Sequence, residues 1–180
     1  MADGLTEIAQ KKSIVYQGSF LQFHLDQVTL PNGKTASREY LHHPGAVAAV
    51  PLLEDGRVIL VRQFRYPTGL VLLEIPAGKM DRGEQPEDAV RRELAEEIGY
   101  EPKTIHHLTS IWTTPAFTDE VIHLYLATDL QPCATRPDPD EFLEVVFMSK
   151  AELLAALNSQ SIVDAKTVLA ITLLELKKMW

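Results

Sequence analysis

Glu93, Glu96 and Glu97 are three acids within a span of five residues. In a helix they would be related by i+3 and i+4 and would share one face. Like charges at that spacing repel by roughly 0.2–0.5 kcal/mol per pair, a repulsion that a cation would offset. The simplest alternative is a solvated acidic face. Arg91 and Arg92 could neutralise part of the run, but they precede the acids instead of alternating with them. Oxygen-only ligands clustered in this way suit Mg²⁺ or Mn²⁺, and Mg²⁺ tends to bring phosphate with it.

The elements around these acids are well signalled. Pro86 is tolerated in a first helical turn, and Glu87 and Asp88 follow at the positive end of the helix dipole. Nothing breaks the helix before Ile98, and Gly99 can end it. Val90, Leu94 and Ile98 give it one apolar stripe. Ahead of it, Leu73 to Ile75 is expected to be a strand that runs through Pro76 and Ala77 into a tight loop at Gly78. That loop would bring backbone carbonyls towards the carboxylates.

Written as spacing, the stretch is G-x5-E-x7-R-E-U-x-E-E-x-G-U, carried by Gly78, Glu84, Arg92, Glu93, Leu94, Glu96, Glu97, Gly99 and Tyr100. This resembles the Nudix box, the signature of hydrolases that cleave a nucleoside diphosphate linked to a second moiety. Tyr100 stands where that family more often has an aliphatic residue. The resemblance implies metal ligation by Glu93, Glu97, Glu96 and the carbonyl of Ala77, with Glu84 and Arg92 bracing the loop. The run from Val28 to Val50, the LEIPAGK lead-in, Pro115 and the segment DAKTVLAI are similar to the ADP-ribose pyrophosphatase branch. Nucleotide-sugar pyrophosphatases share much of the pattern.

A net charge of −8 argues against a nonspecific nucleic-acid surface, so an anionic substrate would be received by local arginines or by metal ions. One cysteine, Cys133, excludes an intrachain disulfide and suits a reducing compartment. No apolar run approaches the ~20 residues of a membrane span. The N-terminal stretch MADGLTEIAQKK has no apolar signal core, and a cytoplasmic protein is expected.

Residues 14–40 read as two strands around the Pro31-Asn32-Gly33 turn, with Leu21, Phe23 and Leu25 on one face. So small a hairpin must pack on something larger. Residues 1–44 are therefore expected to be a β-hairpin region and 45–180 the catalytic domain. The family resemblance implies a homodimer through the hairpin and places Arg38 near the substrate; a surface charge is the alternative for Arg38. Ala46 to Leu53 and Val58 to Phe64 read as a second hairpin. Arg65 closes the latter strand and could give two parallel hydrogen bonds to phosphate, or be a solvated edge charge. Glu74, a carboxylate inside a strand, needs an arginine or a place at the edge of the site. The loop from Thr113 to Glu120 could cover a base or ribose, with Phe117 stacking or simply packing, and the resemblance puts Glu120 near the metals. Ser149 and Asp164 can cap two C-terminal helices, the second burying Ala165, Val168, Leu169, Thr172 and Leu173.

Fold and function then follow as expectations. The fold class is α/β: the Nudix α/β/α sandwich with a mixed, mainly antiparallel sheet and an N-terminal β appendage. The reaction is Mg²⁺-dependent attack of water on the pyrophosphate of ADP-ribose, giving AMP and ribose 5-phosphate. GDP-mannose or another nucleotide sugar is the alternative substrate, and a noncatalytic nucleotide-binding module the alternative class. The general base is Glu141, Glu144 or Glu96, with Asp138 and Asp140 nearby on either side of Pro139.

Overall fold

The computed structural model describes residues 4–135 and 141–180. The chain divides into two units, Met1–Gly45 with Trp112–Val121, and Ala46–Ile111 with Ile122–Trp180.

The first unit holds a four-stranded sheet of β1 (Ile8–Lys11), β2 (Ile14–Gln17), β3 (Gln22–Thr29) and β4 (Thr35–His42). The two-strand expectation for this region is thus corrected. β3 and β4 form the hairpin, paired from Gln22↔His42 to Thr29↔Thr35. The other edge of β3 is shared end to end by β1 and β2. Where they change over, Ser13 N donates to the Asp26 carboxylate at 3.0 Å and Tyr40 Oη donates to its other oxygen at 3.2 Å. Those bonds let Asp26 be buried. The faces of β3 are consequently not as its apolar alternation suggests: Asp26 and Val28 turn inward and Leu25 is exposed.

In the second unit, β5 (Ala46–Pro51) is buried along its whole length. It pairs in parallel with β10 (Val121–Pro132) and antiparallel with β8 (Ala77–Lys79), and β9 (Tyr100–Trp112) lies beyond β10. A second, antiparallel sheet has the order β11 (Leu143–Ser149), β6 (Arg57–Arg65), β7 (Leu70–Glu74). The expected β5–β6 hairpin is corrected. The turn is there, with Gly56 at φ 83 and Leu53 N bonded to Arg57 O at 2.9 Å. Both edges of β5 are already taken, however, so beyond this turn and the isolated bridge Leu52↔Val58 β6 pairs in the other sheet.

Alternate side chains of β5 feed two cores. Ala46, Ala48 and Val50 join Val58, Leu60 and residues of α2 (Lys150–Asn158) and α3 (Ala165–Lys177). Val47 and Ala49 join Ile59, Val61 and the stripe Val90, Leu94 and Ile98 of α1 (Pro86–Ile98). Burying such a side chain is worth about 1.5–3 kcal/mol. This is an α/β/α sandwich, with α1 on one face and α2 and α3 on the other. Caps fix where the helices begin. Pro86 sits in the first turn of α1 and Gly99 closes it in the left-handed conformation at φ 71. Ser149 and Glu152 form a reciprocal capping box on α2, and Asp164 caps α3. The buried stripe of α3 differs from expectation: it is Lys166, Thr167, Ala170, Ile171 and Leu174, while Ala165 and Thr172 face solvent. No helix of the described residues is long and apolar enough to cross a membrane.

Candidate metal and phosphate site

The site is built where β8 meets α1. β5 holds β8 in register through Val47↔Gly78 and Ala48↔Ala77. Ala77 N donates to Glu97 Oε2 at 3.1 Å, joining the loop to the helix. At Gly78 the approach is closer still. A β carbon there would lie 1.9 Å from Glu93 Cδ and 2.0 and 2.2 Å from its two oxygens. The backbone of Gly78 is outside the left-handed region, so the glycine makes room for the Glu93 carboxylate and does not serve a special φ.

Arg92 organises the acids around it. Its Nε and Nη2 take both oxygens of Glu84 at 2.9 Å each, and Nη2 also reaches Lys79 O at 3.0 Å. Its Nη1 is shared between Glu93 at 2.7 Å and Glu96 at 3.0 Å. Glu84 in turn accepts from Asp81 N at 2.9 Å. The 79–84 loop is thereby tied to the helix, and Arg92 holds the Glu84 carboxyl below its usual range.

Glu93 and Glu97 are different. Burial pushes Glu93 up to about 7, against the pull of Arg92 and with a further push from Glu96 and Glu141. Burial, then Glu93 and Glu141, push Glu97 up to about 8. Two carboxylates one helical turn apart, Glu97 buried and Glu93 half-buried, resist sharing negative charge, and a divalent cation between them would favour the ionised form of both. Among the described residues no three His, Cys, Asp or Glu side chains converge to hold an ion, since Glu93 and Glu96 are turned to Arg92. The donors nonetheless fit Mg²⁺ or Mn²⁺: oxygen-only, partly buried, and set against backbone at a glycine that leaves Glu93 space. A Gly78→Ala variant should therefore fold normally but displace the Glu93 carboxylate. We expect the Mg²⁺ concentration for half-maximal activity to rise at least ~10-fold, as when groups supporting a metal site are removed. An unchanged Mg²⁺ titration would show that the close approach has no such role.

A cleft of about 630 Å³ in the same unit is lined by Glu97, Glu141, Glu144, Arg62, Phe64 and Phe142, among others. Glu141 is near enough to raise both Glu93 and Glu97. Glu144 is on the same cleft, its carboxylate paired with Arg62 at 2.8 Å across β11 and β6. Asp138, Pro139 and Asp140 lie outside the described residues.

Arg65 and Glu74 are brought together. Arg65 Nε and Nη2 bond the two oxygens of Glu74 at 2.8 Å each. Lys166, which sequence reading passed over, also reaches Glu74. Burial would raise the Glu74 carboxyl, but the two cations outweigh it and hold it low. The other expected site residues belong to the first unit. Arg38 is exposed and paired with Glu7, its Nε at 2.8 Å from the carboxylate. The loop carrying Pro115, Phe117 and Glu120 is fastened to β4: Leu41 N bonds Phe117 O at 2.8 Å, and Asp119 bonds His42 Nδ1 at 2.5 Å and His43 N at 2.8 Å. Pro115 and Phe117 are exposed, while Glu120 accepts from Thr113 Oγ1 at 2.7 Å and lies 3.6 Å from His43.

The NUDIX domain model matches residues 42–168 of this sequence. The chain belongs to the Nudix hydrolase superfamily. Among similar proteins, an ADP-ribose pyrophosphatase of Bacillus subtilis is 40% identical over 176 residues, covering 97% of this chain and 95% of that protein. A methanol dehydrogenase activator of Bacillus methanolicus is 39% identical over 170 residues, 93% of this Nudix chain and 92% of its own length. A GDP-mannose pyrophosphatase of Yersinia enterocolitica is 33% identical over 124 residues, 64% of each chain. The crystal structure of an ADP compounds hydrolase superposes with a TM-score of 0.85 at 24% identity, over 99% of this chain and 98% of that one, a likeness of fold.

Proposed function

We propose that this Nudix protein hydrolyses the pyrophosphate bond of ADP-ribose, giving AMP and ribose 5-phosphate. The observation that carries the reaction class is the Glu93–Glu97 pair, with Glu93 against Gly78 and the buried Glu97 lining a cleft with Glu141. The choice of ADP-ribose is supported by the near full-length likeness to the Bacillus subtilis enzyme. The shorter likeness to GDP-mannose pyrophosphatases favours a nucleotide sugar as the second reading.

Glu93, Glu97, Glu96 and the Ala77 carbonyl would hold Mg²⁺, with Mn²⁺ a substitute. Bound there, the ion would supply charge neutralisation of the diphosphate and a more acidic attacking water. Glu141 takes the proton of that water as its oxygen forms the new bond to phosphorus. The bridging oxygen leaves with the electrons of the broken P–O bond. Arg65, anchored by Glu74, contacts the phosphates. Arg38, Pro115, Phe117 and Glu120, carried by the first unit, are the further candidates for substrate contact, Arg38 in the site of a second copy. Comparing kcat/KM across ADP-ribose, nucleotide sugars, dinucleoside polyphosphates and nucleoside triphosphates tests the assignment: ADP-ribose is expected to lead, and a tenfold preference for GDP-mannose would replace it.

The protein would act in the cytoplasm as a homodimer assembled through its first 44 residues, with residues 45–180 forming the catalytic domain. Ile14, Val15, Tyr16 and Phe20 stay exposed on that N-terminal sheet, an apolar surface that a second copy would cover. Light scattering should give twice the 20.1 kDa of one chain, and about the mass of one chain once residues 1–40 are removed. A monomer at micromolar concentration, or a dimer surviving the truncation, would each refute the hairpin-mediated assembly.

A further inference from the structure

The first turn of α3 is docked on the strand that leads into the site. Asp164 Oδ2 accepts from Thr167 N at 2.9 Å and from Thr167 Oγ1 at 2.6 Å. Thr167 Oγ1 accepts in turn from Ile75 N at 2.9 Å. One residue away, Lys166 Nζ lies between Glu74 and Asp164, 3.1 Å from the latter. Lys166, Thr167, Glu74 and Ile75 are all buried. Pro76 and Ala77 follow at once, and Ala77 N is the group bonded to Glu97.

Glu74 thus serves two cations. Both of its oxygens meet the Nε–Nη2 edge of Arg65, and Lys166 reaches one of them from the helix side. A guanidinium fixed along one edge presents its remaining nitrogen in a set direction. Arg65 and Glu97 act on each other's charge, and Glu74, which holds Arg65, is three residues ahead of Ala77, whose N–H bonds Glu97. We propose that Lys166 is a positioning residue for phosphate recognition: it fixes the Glu74 carboxylate and so aims Arg65 at the substrate diphosphate. This rests on the reading of Arg65 as a phosphate contact. Four charges, on Arg65, Glu74, Lys166 and Asp164, sum to zero. Without Lys166 the group carries a net negative charge beside an anionic substrate, and Arg65 is drawn wholly onto the carboxylates.

The test uses the whole chain, with ADP-ribose at saturating Mg²⁺. Lys166→Met should raise KM about 10-fold while kcat stays within about 3-fold, the pattern of lost binding and not of lost chemistry. Lys166→Arg, which keeps the charge, should recover most of that KM. In an Arg65→Ala background, Lys166→Met should add nothing, because the residue it positions is gone. A KM unchanged by Lys166→Met, or raised equally with and without Arg65, would overturn the proposal. If melting shows that Lys166→Met does not fold, Glu74→Gln takes its place, since it leaves no unmatched buried carboxylate. It should raise KM only while Arg65 is present, and an equal rise in both backgrounds overturns the proposal. The Kd for ADP in a chelator reads the same pattern without turnover. If the wild type fails to hydrolyse ADP-ribose, the functional assignment falls, while the Arg65-dependent effect on ADP binding still decides the role of Lys166.

Discussion

Replacing Glu97 with Gln is expected to lower kcat for ADP-ribose at least ~100-fold, in line with the loss of one preorganised electrostatic contact to a transition state, and to leave the fold intact. Both halves follow from the surroundings of this side chain. Glu97 is 5% exposed and is pushed up to about 8 by burial and by Glu93 and Glu141. A neutral isostere there removes repulsion, and its amide oxygen can still accept from Ala77 N. What it cannot supply is the charge that a divalent cation requires. Kinetics at saturating Mg²⁺ on a variant with a wild-type melting profile checks this, and near wild-type turnover would remove Glu97 from the metal site.

Glu141→Gln should lower kcat by about 10²–10⁴-fold, the usual contribution of a general base, with much less effect on KM. Glu144→Gln, three residues further on in β11 and already paired with Arg62, should cost under about 3-fold, as expected for an exposed ion pair. The distinction between the two lies in the charges each one meets. Glu141 acts on the charges of Glu93 and Glu97, whereas Glu144 is engaged across the strands. A large loss in Glu144→Gln with little in Glu141→Gln would transfer the role, and equal modest losses would return it to Glu96.

Local rules made α1 and its acids legible. Proline in the first turn, glycine at the end and an apolar stripe of three residues all agree with the observed helix. Pattern reading failed where tertiary partners decide the outcome. Nothing local to β5 and β6 tells that the two strands separate into different sheets after a normal turn; that depends on β8 and β10 taking both edges of β5. The apolar alternation of β3 favoured Leu25 as an inward residue, but Asp26 is buried because Ser13 and Tyr40 satisfy it.

The same cause rotated the stripe of α3. Lys166 and Thr167 lie outside the stripe that the apolar pattern predicts, yet they face inward to meet Glu74 and Ile75. One signal did exist. A carboxylate within a strand demands cationic partners, and Lys166 beside a capping aspartate was available as well as Arg65. The Arg92 network shows the opposite case, in which the family resemblance carried by the spacing of Glu84 and Arg92 implied the brace between them. Gly78 lay between these extremes: its place in the loop was readable, but its contact with Glu93 depends on how β8 lies along α1.

The most direct measurement is product analysis of ADP-ribose incubated with the wild-type protein and with Glu97→Gln, each with Mg²⁺ or with a chelator. The account predicts equimolar AMP and ribose 5-phosphate from the wild type with Mg²⁺ alone, and at least ~100-fold less from the variant. No such products from the folded wild type, or the same yield from Glu97→Gln, would contradict it.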